Sequence, residues 1–291
     1  NMELEYIVCN LCGISREKVL FHTKIGNIVR CQICGLAYRN PRLVEKEELE
    51  RYIYGGIVNR LPWEQINASK QKFFEDTLVK INRAMRPGIM LDVGCGDGFF
   101  LKLAQVSGWD VYGVEISKLL VEQARKRIGT NKIFEGVLKE GIYPLSFFNI
   151  VTFWDVLDHL SNPLATLQEV NRILKENGVI LIRMRNALFH VSFSVLFGKI
   201  TSWLHLKPTV FHLYSFSPRT IRNMLEKAGF REIGVENSIL TSGDPYRQGR
   251  IFGPLGIEMI KRFMFAMFQV VYYLSGKRCV WSSSIIVYGR K

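Results

Sequence analysis

Ile89-Met90-Leu91-Asp92-Val93-Gly94-Cys95-Gly96-Asp97-Gly98-Phe99-Phe100-Leu101 decides the fold. An apolar run, a turn rich in glycine and a segment with helical character follow one another, which predicts strand, tight turn and helix. Glycine lets the backbone turn sharply and lets a ligand approach, and the helix N-terminus offers free amides. A second strand is expected at Asp110-Val111-Tyr112-Gly113-Val114-Glu115. Its terminal carboxylate lies 21 residues after Gly94, where it can accept both hydroxyls of a ribose.

The same residues separate two cofactor classes. A nicotinamide or flavin dinucleotide site wants glycine at 94, 96 and 99, and position 99 is Phe. Asp92, in the strand just before the turn, would repel a pyrophosphate but suits a cationic amino-acid group. S-adenosylmethionine, with a ribose at its centre and a charged methionine at one end, fits this donor pattern, and NAD does not.

Working outward, the 291 residues are 48% apolar and 22% charged, a globular composition with room for one α/β domain and a small appendage. The opening residues lack a basic flank followed by an apolar run, so no secretory signal is expected and the protein reads as cytoplasmic. The net charge of +13 is concentrated late: residues 186–291 hold 14 Lys+Arg against 5 Asp+Glu, a surplus of +9. Such a surface attracts phosphorylated substrates, nucleic acid or anionic lipid, or is simply a basic solvated face.

Upstream, Cys9-Asn10-Leu11-Cys12 and Cys31-Gln32-Ile33-Cys34 are two Cys-x-x-Cys pairs with the spacing of a four-thiolate zinc site. Two tight turns on a hairpin complete the tetrahedron that zinc prefers, and four closed ligands make the role structural. Two disulfides would need an oxidising compartment, and redox Cys-x-x-Cys chemistry needs no second pair. Short strands are expected at Glu17–His22 and 27–30. His22 reads as a surface residue, and the isolated Cys95 and Cys279 as small packed side chains. The resulting division is a zinc ribbon over 1–43, a helical connector over 44–86 and a catalytic domain over 87–291.

The chain resembles the class I S-adenosylmethionine-dependent methyltransferases, in the subgroup whose catalytic domain follows a cysteine-rich zinc ribbon. The resemblance is carried by Cys-Gly-Leu-Ala-Tyr-Arg-Asn-Pro-Arg at 34–42, Leu-Asp-Val-Gly-Cys-Gly-Asp-Gly at 91–98, Val-Tyr-Gly-Val-Glu at 111–115, Trp-Asp-Val-Leu-Asp-His-Leu at 154–160 and His-Leu-Tyr-Ser-Phe-Ser-Pro at 212–218. It implies an α/β, Rossmann-like fold: a seven-stranded, mainly parallel sheet with flanking helices and an antiparallel last strand. It also implies that Asp92, Gly94 and Gly96 hold the methionine end of the cofactor, Glu115 the ribose and Ile116 the adenine face, with Trp154 and Asp155 as the floor near the sulfonium. Asp158 stands where the family often has Glu.

Methyl transfer from a sulfonium is mostly a matter of positioning, and a base is needed only for a protonated nucleophile. Asp158 and His159, after a strand expected at 150–154, and His212 and Tyr214, before a helix expected at 218–228, are the candidates. His159 and His212 can equally be satisfied structural side chains. Two apolar insertions, near 187–211 and 251–276, contain runs at 187–203 and 263–274 that are shorter than a bilayer requires. Basic residues flank the second, so it reads as a packed lid or as an interfacial helix in peripheral contact with a membrane. The expected activity is methyl transfer to a small or lipid-linked acceptor, such as a sugar or metabolite hydroxyl. The alternatives are an RNA methyltransferase, which lacks an aromatic and basic recognition motif here, and a non-catalytic protein that binds the cofactor and docks on membranes.

Overall fold

The computed structural model describes residues 3–23, 25–45, 47, 62–192, 212–239 and 253–291. At the N-terminus, β1 (Leu4–Glu5) pairs with β5 (Arg42–Leu43), while β2 (Glu17–His22), β3 (Asn27–Cys31) and β4 (Ala37–Asn40) form an antiparallel meander. Each Cys-x-x-Cys pair closes a knuckle through the amide of the glycine that follows it: Gly13 N donates to Cys9 O at 2.7 Å and Gly35 N to Cys31 O at 3.0 Å. The meander acquires a fourth strand from far along the chain, β11 (Tyr214–Ser215), antiparallel to β4 with Tyr214 opposite Tyr38.

The main sheet is built from β6 (Ile89–Val93), β7 (Asp110–Glu115), β8 (Ile133–Glu135), β9 (Phe148–Trp154), β10 (Leu174–Arg185), β12 (Arg231–Asn237) and β13 (Ser284–Arg290). Their spatial order is β12-β13-β10-β9-β6-β7-β8. The pairs from β10 through β8 are all parallel, and β13 runs antiparallel to both neighbours. This is the seven-stranded, mainly parallel sheet expected, with its antiparallel last strand. Parallel neighbours need crossover connections, which the helices α2 (Phe99–Val106), α3 (Lys118–Ile128) and α4 (Pro163–Ile173) supply. Ahead of them in the chain runs α1 (Trp63–Ala84), and after them α5 (Pro218–Lys227) and α6 (Gly253–Leu274). Asn162 and Ser217 cap α4 and α5 through their side chains, each followed by a proline whose missing N–H the first helical turn does not require.

Two apolar cores sandwich the sheet. One gathers α1, α2 and α3, with Phe73, Phe74, Leu78, Phe100 and Val121 against Met90, Ile150 and Trp154. The other holds α4 and α5, and the cysteine ribbon shares it: Cys9, Leu11, Leu36 and Tyr38 pack in the same cluster as Leu167, Ile221 and Met224. Each such side chain contributes about 1.5–3 kcal/mol on burial.

Boundaries shift in places. The run 282–288, with Ile285, Ile286, Val287 and Tyr288, reads as a final strand; the strand begins at Ser284, two residues later, because the preceding residues are held in a bend. Asn186 Nδ2 donates to the carbonyls of Val280 and Ser282, and Ser282 N donates to Asn237 Oδ1. The apolar run 263–274 is the second half of the longer α6. The expected insertion at 187–211 is described only as far as residue 192; 193–211 and much of 44–61 lie outside the described residues.

Candidate active site

In an open α/β sheet, ligands bind beyond the carboxyl ends of the strands. The glycine turn after β6, Glu115 at the end of β7 and the Trp154–His159 segment after β9 all lie at that edge. Gly94 has φ +73°, and a Cβ there would stand 2.5 Å from Val156 Cγ2, so both conformation and space demand glycine. Gly96, φ +56°, has only the Trp63 ring beyond 3.5 Å, which leaves that stretch of backbone open.

Glu115 is buried and ties the turn to its own strand: Oε2 accepts from Gly96 N at 3.0 Å and Oε1 from Ser117 N at 2.9 Å. These amides, with that of Ile116, leave part of the Glu115 carboxylate's capacity of about four lone-pair sites for a hydroxyl. Burial raises its carboxyl above the ordinary range, with those amides pulling the other way. Asp92, inside β6, accepts from Thr152 Oγ1 at 2.7 Å, and burial pushes it up to about 8, with the Glu115 charge adding to the rise. A cation would relieve both groups. Ile116, partly buried, follows Glu115 directly.

Asp97 fixes the far side of the turn. Its Oδ2 accepts from Asn67 Nδ2 at 2.8 Å and Arg127 Nη2 at 2.6 Å, and its carbonyl accepts from Arg127 Nε. Asn67 belongs to α1, which also brings Trp63 over Gly96 and Lys70 to Asp155. Trp154 closes the floor: its ring meets Phe73, Phe74 and Phe100 at 4.8–5.5 Å between centroids, and its Nε1 is buried with no hydrogen-bond partner. Asp155, in the left-handed region at φ 62°, is bound by Lys70 Nζ at 2.7 Å and Arg183 Nη1 at 2.6 Å. Burial alone would raise its pKa, but these two cations hold it well below the usual carboxylate range.

Next along the chain, the 3-10 turn Leu157–His159 carries Asp158 and His159, and His212 reaches them just before β11. The two imidazole centroids are 3.9 Å apart, and the donor atoms of Asp158, His159 and His212 all lie within 4.8 Å of one another. Burial, with His159 and Arg185 nearby, lowers the His212 pKa far below its ordinary value, so the ring is neutral at physiological pH. Burial raises that of Asp158. Tyr214 lies at the ribbon seam. Its ring stacks on Tyr38 and Phe216, and its hydroxyl donates to Ser161 O at 3.2 Å and accepts from Arg42 Nη1 at 3.4 Å.

Arg42 links the segments that carry Ser161 and Tyr214 to the ribbon, because Nη1 also donates to Ser161 O at 2.8 Å and Nε to Glu5. Asn10, inside the first cysteine knuckle, accepts from Leu164 N and donates to Asn162 Oδ1, so that knuckle sits on the start of α4. The four sulfurs converge, with Cys9 and Cys34 Sγ 3.4 Å apart and Cys12 and Cys31 Sγ 3.5 Å apart. Donors of a tetrahedral zinc with Zn–S bonds of roughly 2.3 Å stand about 3.8 Å apart. The donor set fits that ion.

Sequence reasoning missed Trp63, Asn67, Lys70 and Arg183. The first three have helical spacing on α1, a signal visible only once that helix is known to cover the turn. Arg183 had a plainer signal, a lone charge inside the apolar run 179–184.

The carboxylates, the open glycine turn and the unpartnered Trp154 Nε1 fit a ligand with ribose hydroxyls and a cationic amino-acid end, as S-adenosylmethionine has. Residues 64–233 match the family model of a methyltransferase domain. Among curated proteins, the chain is similar to a ubiquinone biosynthesis O-methyltransferase of Nitrosomonas europaea, 21% identical over 181 residues, 60% of this chain and 75% of that one. It is also similar to the corresponding enzyme of Actinobacillus pleuropneumoniae, 26% identical over 118 residues, 38% of this chain and 50% of that one. The chain spans about half the length of most such relatives. Of solved structures, the phosphoethanolamine N-methyltransferase 2 of Haemonchus contortus bound to S-adenosyl-L-methionine shares the fold at TM-score 0.52 and 19% identity, covering 88% of this chain and 61% of that one. With the family model matching more than half of its length, the chain belongs to the methyltransferase-domain family, and its Rossmann-like portion is an S-adenosylmethionine-dependent methyltransferase domain.

Proposed function

We propose that the protein transfers a methyl group from S-adenosylmethionine to a hydroxyl of a small or lipid-linked acceptor. The observation that carries this reading is the adjacency of two sites: Lys70, bound to Asp155, also acts on Asp92 of the Asp92, Gly94, Gly96 and Glu115 cradle, and Asp155 itself acts on Asp158 and His212 of the cluster with His159. Bound S-adenosylmethionine supplies an already activated methyl group. Glu115 holds the ribose hydroxyls, Ile116 lies along the adenine, Asp92 offsets the methionine ammonium, and the amides of the glycine turn meet the carboxylate. Trp154 and Asp155 form the floor beneath the reacting centre. Lys70 and Arg183 neutralise Asp155, so it fixes geometry rather than moving a proton. The His159–His212 pair and Asp158 face the acceptor hydroxyl and ease its deprotonation. Tyr214, engaged by Ser161 and Arg42, positions His212.

The four cysteines would hold one structural zinc per chain, fixing the knuckle through which Asn10 bonds to Asn162 and Leu164 at the start of α4. The hydroxyl acceptor is consistent with the curated relatives, whose names describe O-methyltransferases. Isothermal titration with S-adenosylmethionine and with its demethylated product, using NAD as control, tests the reading. Binding of the first two alone supports it and opens a screen of hydroxyl acceptors, starting with sugar nucleotides and lipid-linked glycans. Absence of binding overturns it.

A further inference from the structure

We propose that Asp158, His159 and His212 form a second metal site, distinct from the four thiols, which holds a divalent first-row cation and presents it to the acceptor oxygen. His159 Nε2 stands 4.0 Å from Asp158 Oδ1, and His212 Nε2 stands 3.9 Å from Asp158 Oδ2. Those separations are too long for direct hydrogen bonds. They match donors around one ion, which stand about 3.0–4.2 Å apart when the metal bonds are roughly 2.1 Å. Because the three donor atoms lie within 4.8 Å of one another, a single point falls within about 2.8 Å of each, and inward shifts of at most about 0.7 Å close the remainder.

A second, independent observation points to the same place. Asp158 is only 5% exposed, and its Oδ1 is buried with no hydrogen-bond partner. A carboxylate oxygen removed from water and left without a donor is destabilising, and a cation between it and the imidazoles removes that penalty. Two histidines and one carboxylate leave coordination positions open, as suits an ion that must also receive substrate. Arg185 is the competing neighbour. Its Nη1 lies 3.4 Å from His212 Nε2, near the limit of a hydrogen bond, so an entering ion displaces a weak contact. Of the other cations near the cluster, Lys70 and Arg183 are taken up by Asp155, and Arg39, which also acts on His212, donates to Ile25 O.

The inference rests on reading this region as the acceptor side of a methyltransferase site. It narrows the acceptor to molecules with a hydroxyl that can bind the ion, best of all with a second oxygen adjacent to it that fills another open position. Binding to the ion lets the hydroxyl release its proton to solvent. The oxygen then bonds to the methyl carbon, and the carbon–sulfur bond breaks with its electron pair left on sulfur, giving S-adenosylhomocysteine.

The test uses the full chain loaded with zinc. Manganese(II) is titrated in and its free ion followed by electron paramagnetic resonance, while S-adenosylmethionine affinity is measured in parallel by calorimetry. One manganese per chain is expected. Asp158→Asn and His212→Gln should each weaken it roughly tenfold or more with circular dichroism and cofactor affinity retained. His159→Gln, at a more exposed side chain, gives the same readout if a buried substitution unfolds the protein. No binding at millimolar manganese, or equal binding in the folded variants, overturns the site. Manganese binding that depends on these residues in a protein that ignores S-adenosylmethionine would support the ion site and sink the methyltransferase reading.

Discussion

On the proposed reading Glu115 is the residue on which cofactor affinity turns, because one buried carboxylate anchors the glycine turn and would also accept from a ribose. Glu115→Ala should weaken S-adenosylmethionine binding by about 1–3 kcal/mol, the scale of a lost charged hydrogen bond. Calorimetry on the folded variant checks this, and unchanged affinity would remove the ribose assignment. Asp92 supplies a test through pH. Its carboxyl titrates at about 8 in the folded protein because burial penalises the charged form, against roughly 3.9 in an unfolded chain. Between those values the native state binds the extra proton, so its contribution to stability is greatest below pH 4 and declines as pH rises toward 8. Relative to Asp92→Asn, the wild-type protein without cofactor should lose stability steadily across that window and no further above it. Urea unfolding at several pH values reads the difference, and a constant offset would show that Asp92 is ionised throughout.

At the scale of elements, the decisive arrangement is the seam between β4 and β11. Two motifs far apart in sequence, 34–42 and 212–218, become strand partners, with Arg39 N donating to Leu213 O and Tyr38 opposite Tyr214. Their residue types were legible in the sequence, but their pairing was not, since a two-residue strand has no periodicity to read. Tertiary packing likewise decides Lys70 and Arg183: Asp155 stood out as a candidate beside the cofactor, yet only the packing of α1 on the sheet and the pairing of β10 with β9 show the two cations converging on it. By contrast, the glycine turn, Glu115 and the cysteine pairs were readable because backbone conformation and ligand spacing are local properties. Arg42 is where the seam can be opened selectively. Arg42→Met removes bonds to Glu5, Ser161 and Tyr214 while keeping apolar bulk, and should lower stability by about 2 kcal/mol in denaturant unfolding. Cofactor affinity should be unchanged, because among the described residues no hydrogen bond of Arg42 reaches the glycine turn; an equal loss of affinity would mean that the seam supports the whole site.

Across the whole molecule, the surplus charge of the last third and the shape of α6 bear on one question, where the acceptor comes from. Met259, Phe263, Met267, Val270 and Leu274 are all exposed and recur every three or four residues, so they form one stripe along the helix. Phe268 and Tyr272 are buried, which leaves that stripe as a face with an apolar surface. Lys277 and Arg278 are exposed just beyond its end. None of the described helices is long and apolar enough to cross a membrane. An apolar stripe bordered by cations suits a helix lying in a lipid interface, where buried area and attraction to anionic headgroups add. The arrangement would bring a lipid-linked hydroxyl to the catalytic domain without removing its tail from the bilayer. Flotation with vesicles should therefore show binding that rises with the anionic lipid fraction and falls with salt. Phe263→Ser combined with Leu274→Ser should weaken it several-fold while S-adenosylmethionine affinity stays constant, since both side chains are exposed on α6 and neither belongs to the proposed cofactor cradle. Equal binding by the double variant would assign the attraction to charge alone and leave a water-soluble acceptor as the better candidate.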